Sequence, residues 1–261
     1  MTSSRRTFTT PSITVLLLLS LTLAVSGCVS TTTGGFAAKA SPEEALEKRV
    51  ALAREYIGKG LWEDAKRNLK MAQKIDANNS DVYEAFALVY QSTGEYELAE
   101  ESFKRSIRLD RDCSRCRNNY AAYLYSRGEF AAAVDQLEVV VEDALYPARP
   151  RAFTNLGLAR LKVDDLQGAE EAFERAVAME RLNSFALLEL AHLRFDAGDW
   201  SRAKYYHDTY KLSVRQQSAR ALWLGIRIAR QLDDRDAEAS YGLALSNLYP
   251  ASEEYRAYKN D

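Results

Sequence analysis

The sequence predicts an all-α protein, a right-handed α-solenoid built from six helix-turn-helix units. Two series of small residues carry this prediction. The first series is Ala53, Ala87, Ala121, Gly157, Ala191 and Gly225. The second series is Ala65, Ala99, Ala133, Ala169, Ala203 and Ala237. Both series step by 34, 34, 36, 34 and 34 residues, and two series with the same step indicate tandem copies of one supersecondary unit.

A period of 34 residues is typical of tetratricopeptide repeats (TPRs), which are pairs of amphipathic helices. One such pair cannot bury its apolar side alone, so neighbouring pairs stack into a continuous core. Small residues let the helix axes approach to roughly 8–10 Å. The sequence therefore predicts a TPR solenoid over residues 42–258, followed by a tail at 259–261. The predicted repeats are approximately 46–79, 80–113, 114–147, 150–183, 184–217 and 218–251.

The turn inside each repeat has its own signal. Glycine occupies the matching place in four repeats, at Gly60, Gly94, Gly128 and Gly198, where a helix end favours a positive φ. Repeats four and six have Asp164 and Leu232 instead. The two-residue excess falls at 146–150, where two prolines predict a longer joint between repeats three and four.

The amino-terminal segment has the pattern of a secretory signal peptide, predicted at 1–27. Arg5 and Arg6 precede an uncharged apolar run at 13–25, which is short for a membrane span of about 20 residues. The run ends at Ser26-Gly27-Cys28, which resembles a bacterial lipobox. That resemblance implies cleavage before Cys28 and acylation of this cysteine. An uncleaved anchor with an incidental cysteine is the alternative.

Residues 28–41 are small and polar and are interpreted as a lipidated tether. Val29 follows the cysteine, and a residue other than aspartate there suggests the outer membrane, with the repeats facing the periplasm. The segment 4–8 also resembles a twin-arginine export motif. The leucine-rich core of the signal peptide favours the general secretion route instead.

Composition and motifs argue against several classes of function. The formal net charge of −2 gives no basic face for nucleic acid. No nucleophile motif or phosphate loop is present, so we expect no enzyme, no cofactor and no small-molecule substrate. Cys113 and Cys116 lie far in sequence from His192 and His207, so no metal site is expected. A local disulfide between Cys113 and Cys116, or two free thiols, remain as interpretations.

Protein binding is the remaining class of function, because the first helices of TPR arrays line their concave side. Asparagines at the position of Asn119 and Asn155 hold an extended peptide backbone in related peptide-binding arrays. Packing between repeats is the alternative role for each of these residues. The predicted groove residues are Val50, Ile57, Trp62, Asn119, Tyr125, Asn155, Leu158, Phe185, Leu188, His192, Phe195, Leu222 and Ile226.

Several segments together resemble the type IV pilus biogenesis/stability lipoproteins (PilF/PilW). They are residues 118–125, 145–147, 155–158, 220–227, 233–236, 240–243 and 248–250. The resemblance implies a pilotin, an outer-membrane lipoprotein that binds the type IV pilus secretin and promotes its localisation and multimer assembly. Alternatives are a general envelope adaptor that scaffolds cell-wall enzymes and a component of the β-barrel insertion machinery.

Overall fold

The computed structural model describes residues 41–260, and every regular element in that range is helical. The predicted signal peptide, Cys28 and all of the tether except Ser41 lie outside the described residues. From Ala45 onward the described chain forms one compact unit. Its helices are α1 (Pro42–Gly58), α2 (Trp62–Ile75), α3 (Ser80–Thr93), α4 (Tyr96–Leu109), α5 (Ser114–Ser126), α6 (Phe130–Glu142), α7 (Arg149–Lys162), α8 (Leu166–Met179), α9 (Ser184–Asp196), α10 (Trp200–Ser213), α11 (Ala219–Gln231), α12 (Arg235–Leu248) and α13 (Glu253–Asn260).

The first twelve helices form six consecutive pairs, one for each predicted repeat. From α3 to α11, the first helix of each pair contacts the first helix of the next pair. No such contact joins the second helices of neighbouring pairs within residues 41–260. One side of the stack is therefore lined by first helices, and we call it the inner face. The predicted all-α TPR architecture is confirmed.

The two series of small residues lie where the helices of a pair meet. Every member of the first series is buried, and so are five of the six alanines in the second. A β-carbon added at Gly157 would lie 2.5 Å from the Phe173 ring, so only glycine fits this contact. His207 occupies the equivalent ring position in repeat five. It is 2 % exposed and its Nε2 lies 2.8 Å from the Ala221 carbonyl, as expected for a packed core histidine.

The turns have positive φ in all six repeats. Four are the predicted glycines, and Asp164 adopts φ 61° in repeat four. In repeat six the positive φ falls on Asp233, at 53°, one residue after Leu232, which occupies the place of the glycines. Aspartate tolerates the left-handed region better than leucine does, and Leu232 instead packs against the core. Ala237 is only half-buried, unlike the other alanines of its series.

The joint between repeats three and four is longer than the others, as the two extra residues predict. Helix α6 ends at Glu142 and α7 begins at Arg149, with Pro150 in its first turn. Tyr146 packs against the core, and the Arg149 side chain donates a hydrogen bond to the Val141 carbonyl across 2.7 Å. The joint is thus fixed at both ends.

The carboxyl terminus differs from the prediction of a short tail, because residues 253–260 form α13. This helix contacts both α11 and α12. Its Tyr255 and Tyr258 pack against a buried cluster containing Leu222 and Ile226. The repeat pattern could not predict α13, because it lies beyond the last period. Among the described helices, none combines the length and apolarity needed to cross a bilayer.

Candidate protein-binding surface

The inner face of repeats one to three carries a group of charged side chains, which we call the ion-pair cluster. Its centre is Glu84 of α3, whose side chain is 1 % exposed. The Glu84 carboxylate accepts hydrogen bonds from Arg54 across 2.8 Å and from Arg115 across 2.7 Å. Arg115 also pairs with Asp81, and the Asn119 amide donates to Glu84 across 2.5 Å. Three successive first helices are therefore joined through one buried carboxylate.

The cluster changes what the predicted groove residues of these repeats can do. The Asn119 amide is already engaged with Glu84. Val50 is 4 % exposed and belongs to the apolar core of the first repeats. Ile57 and Trp62 are partly buried and pack against the same apolar core. The prediction that Val50 lines an open groove is therefore wrong, because this position faces the next helix rather than solvent.

Two adjoining clefts open on the inner face further along the chain. The first has a volume of about 240 Å³ and is lined by Ala121, Ala122, Tyr125, Leu137, Asn155 and Leu158. The second has a volume of about 400 Å³ and is lined by Arg151, Thr154, Asn155, Leu158, Glu180, Leu182, Asn183, Ser184 and Phe185. Because they share Asn155 and Leu158, they form one surface, which we call the α5–α9 cleft. It brings together four predicted residues: Tyr125, Asn155, Leu158 and Phe185.

The cleft combines fixed polar groups with exposed apolar ones. The Asn183 amide donates to Thr154 Oγ1 across 3.1 Å and to Glu180 Oε2 across 3.0 Å. The Asn155 amide donates to Asn118 Oδ1 across 3.3 Å. Phe185 is 71 % exposed, which is unusual for an aromatic ring. An exposed ring beside ordered amides suits protein binding better than catalysis.

The remaining predicted residues lie in repeats five and six. Leu188 and Phe195 are partly buried against core clusters, and the Arg227 guanidinium lies 4.1 Å from the centre of the Phe195 ring. Leu222 and Ile226 are 1 % and 0 % exposed. The prediction that these last two line a groove is wrong, since α12 and α13 cover them.

His192 lies on α9 and is partly buried. Burial, followed by the nearby positive charge of Arg220, lowers the pKa of His192 to about 4. Arg220 is held by Glu189, with hydrogen bonds of 2.5 and 2.9 Å. The imidazole Nε2 has no hydrogen-bond partner among the described residues. His192 is thus a neutral, packed side chain near pH 7.

Cys113 and Cys116 form a disulfide at the start of α5. Cys113 caps the helix, with its sulfur accepting a hydrogen bond from the Cys116 amide across 3.2 Å. Asp81 lies close enough to complete a three-ligand group with the two sulfurs. Disulfide sulfurs are not thiolates, however, so this group cannot bind metal as it stands. Cys28, the predicted lipidation site, lies outside the described residues.

Several residues of the ion-pair cluster and the α5–α9 cleft are not among the predicted groove residues. From the sequence, Glu84 resembles any solvent-exposed acidic residue on a helix. In the structure it is buried, as are the polar residues Asn118 and Thr154 at the equivalent positions. Arg151 and Ala122 line the α5–α9 cleft. Comparison of equivalent repeat positions could have found both, because repeat two has Asp81 and Leu88 there.

The six stacked helix pairs define a TPR protein. The tetratricopeptide repeat family model matches residues 80–113. Over 217 residues the chain is 33 % identical to type IV pilus assembly protein PilF of Pseudomonas aeruginosa, covering 83 % of this chain and 86 % of that protein. The chain belongs to the PilF/PilW family.

Solved structures agree with this assignment. The Pseudomonas aeruginosa PilF structure aligns with a TM-score of 0.79 at 36 % identity, over 84 % of this chain and 98 % of that one. The structure of PilW, described as a widely conserved type IV pilus biogenesis factor, aligns with a TM-score of 0.70 at 27 % identity, over 82 % and 98 % of the two chains. YrrB, a TPR protein with a peptide-binding site, shares the fold at 15 % identity, with a TM-score of 0.62 over 74 % and 98 %.

Proposed function

We propose that this chain is an outer-membrane lipoprotein, a pilotin, that binds the type IV pilus secretin and promotes its localisation and multimer assembly. The observation that carries the proposal is the 33 % identity to a type IV pilus assembly protein over 83 % of the chain. The lipobox-like Ser26-Gly27-Cys28 segment supports the lipoprotein part. The exposed α5–α9 cleft supports a protein partner.

The proposed mechanism is delivery by a tether. Several acyl chains on Cys28 hold the protein in the membrane far longer than one chain would. Thirteen small and polar residues separate Cys28 from the first helix, and a linker of that length and composition spans roughly 20 Å. Secretin protomers held by many such tethered molecules meet at a high effective concentration, which favours multimers without new contacts. The chain itself acts as an adaptor and not as a catalyst.

The test measures heat- and detergent-resistant secretin multimers in outer-membrane fractions. Wild type, a deletion strain and Cys28→Ala are compared, and Ser26→Ala is the matched control because it keeps a small residue in the lipobox. We expect no multimers after deletion, multimers stranded in the inner membrane with Cys28→Ala, and normal multimers with Ser26→Ala.

Normal outer-membrane multimers in all strains would contradict the pilotin function. Capture of cell-wall hydrolases instead of secretin would then favour a general adaptor. A broad loss of outer-membrane proteins after deletion would favour a role in β-barrel insertion.

A further inference from the structure

We propose that the α5–α9 cleft binds an extended segment of the partner in which a bulky apolar residue and an acidic residue stand about three positions apart. This inference rests on the proposed function, because it takes the secretin as the partner. It adds the chemistry of the bound segment and assigns binding to repeats three to five.

The acidic part of the motif follows from Arg151. This residue occupies in repeat four the position that Arg115 occupies in repeat three. Arg115 is neutralised because the preceding repeat offers Asp81 and Glu84. For Arg151 the preceding repeat offers Arg115 and Asn118 at those two positions. Consequently no hydrogen bond or ion pair joins Arg151 to another residue in the described part of the chain.

Glu180, the other charged residue that lines the cleft, does not pair with Arg151. Glu180 also lines the second cleft, but its carboxylate accepts a hydrogen bond from Asn183. Arg151 is exposed at the cleft with its planar guanidinium available. A carboxylate can accept two parallel hydrogen bonds from such a group, and this geometry favours an acidic side chain of the partner.

The apolar part of the motif follows from Ala122. The equivalent residue in repeat two is Leu88, which packs against the core. The shorter Ala122 leaves the first cleft open beside Tyr125, Leu137 and Leu158. Its volume of about 240 Å³ gives room for one bulky apolar side chain. Exposed Phe185 extends the apolar surface at the opposite end.

The spacing follows from helix geometry. Arg151 and Leu158 are seven residues apart on α7, which corresponds to about 10 Å at 1.5 Å per residue. An extended chain covers this distance in about three residues, at roughly 3.3 Å each. Asn155 lies between the two, and its side-chain oxygen makes no hydrogen bond within residues 41–260. It is placed to accept a backbone N–H of the bound segment.

The test uses the full-length lipoprotein in native membranes and measures co-purification of secretin. Arg151→Glu and Ala122→Leu are the test variants. Ala122 is exposed and lines an open cleft, so a leucine there has room and matches the residue of repeat two. Lys70→Glu and Ala131→Leu are matched controls, because both residues are exposed on second helices. A photo-crosslinking amino acid at Phe185 identifies the secretin segment by mass spectrometry.

We expect Arg151→Glu and Ala122→Leu each to lower capture about tenfold, the factor that corresponds to 1.4 kcal/mol, while both controls match wild type. The crosslinked segment should contain an acidic residue about three positions from a bulky apolar one. Changing that acid to lysine should lower capture by wild type and restore capture by Arg151→Glu.

Two results would overturn the inference while leaving the proposed function intact. One is capture by wild type that neither variant lowers. The other is a crosslinked segment without the acidic and apolar pair, or without rescue by the charge swap. Failure of the wild-type protein to capture secretin would instead overturn the proposed function, and this inference with it.

Discussion

Repeats one to three and repeats three to five use equivalent positions of their first helices in different ways. In the first region, Asp81, Glu84 and Arg115 satisfy one another and close the surface. In the second region, Arg151 lacks such carboxylates and Ala122 replaces a leucine, so the surface stays open. The comparison teaches that one repeat scaffold can use its polar groups for contacts between repeats in one place and leave them exposed in another.

The largest effect is expected from breaking the ion-pair cluster with Glu84→Leu. This change leaves Arg54 and Arg115 without their buried carboxylate, and loss of one partner of a buried pair typically costs about 3–5 kcal/mol. We expect about 3 kcal/mol, because both arginines are partly exposed. The loss is measured as the difference in the free energy of unfolding, from urea denaturation of the variant and wild type.

The control for this change is Glu55→Gln, which removes an exposed pair with Lys59. Exposed pairs contribute little, so its unfolding midpoint should match wild type. Equal midpoints for Glu84→Leu and wild type would show that the cluster does not stabilise the joint between the first three repeats.

The next effect is expected in the second region, from Gly157→Ala. The added β-carbon would lie 2.5 Å from the Phe173 ring, and overpacking of this kind costs about 1–3 kcal/mol. Gly58→Ala is the matched control, because nothing lies within 4 Å of the added carbon there. A thermal unfolding midpoint for Gly157→Ala at or above wild type would contradict the close approach of α7 and α8.

A smaller effect is expected from reducing the disulfide, which fixes the first turn of α5 and with it Arg115. The loop between Cys113 and Cys116 is very short, so the loss should be about 1–2 kcal/mol, below the usual range. Unfolding is measured with and without reductant. The stability of the Cys113→Ser, Cys116→Ser double variant should not change with reductant. An equal loss of stability in the variant and wild type would show that the disulfide is not its source.

The effect that is smallest at neutral pH, and that grows only on acidification, concerns His192. The folded protein holds the pKa of this imidazole at about 4, while the unfolded chain binds the proton near its ordinary value of about 6.5. Between these values the unfolded state binds more protons, so stability falls as the pH drops from 6.5 to 4. His192→Gln should lessen that fall, by about 2–3 kcal/mol once the pH reaches 4. If the stability of the variant and of wild type fell equally between pH 6.5 and 4, the assigned role of His192 would be wrong.

The repeat architecture could be predicted from the sequence because small residues at helix contacts tolerate few substitutions. The sequence left the turn of repeat six open, because Leu232 occupies the place that glycine holds in four other repeats. A leucine at positive φ costs conformational free energy, and in the structure the positive φ falls on Asp233 instead. The repeat spacing alone could not predict this difference, because it does not depend on the residue type at the turn.

The binding surface could be predicted only in part. Tyr125, Asn155, Leu158 and Phe185 do share the α5–α9 cleft, because regular spacing places them on one side of successive first helices. Val50, Leu222 and Ile226 have the same spacing but are buried. Whether an inner-face residue is exposed depends on its neighbours in the adjacent helix. For Leu222 and Ile226 it also depends on α13, which the repeat pattern does not predict.

Helix α13 also sets a limit on assembly. A stack of identical repeats ends in an apolar side that resembles the side each repeat offers to its successor. Tyr255 and Tyr258 occupy that side after the sixth repeat, so a second molecule has no matching surface on which to continue the stack. Another copy could continue the stack through this end only if α13 moved away from the sixth repeat.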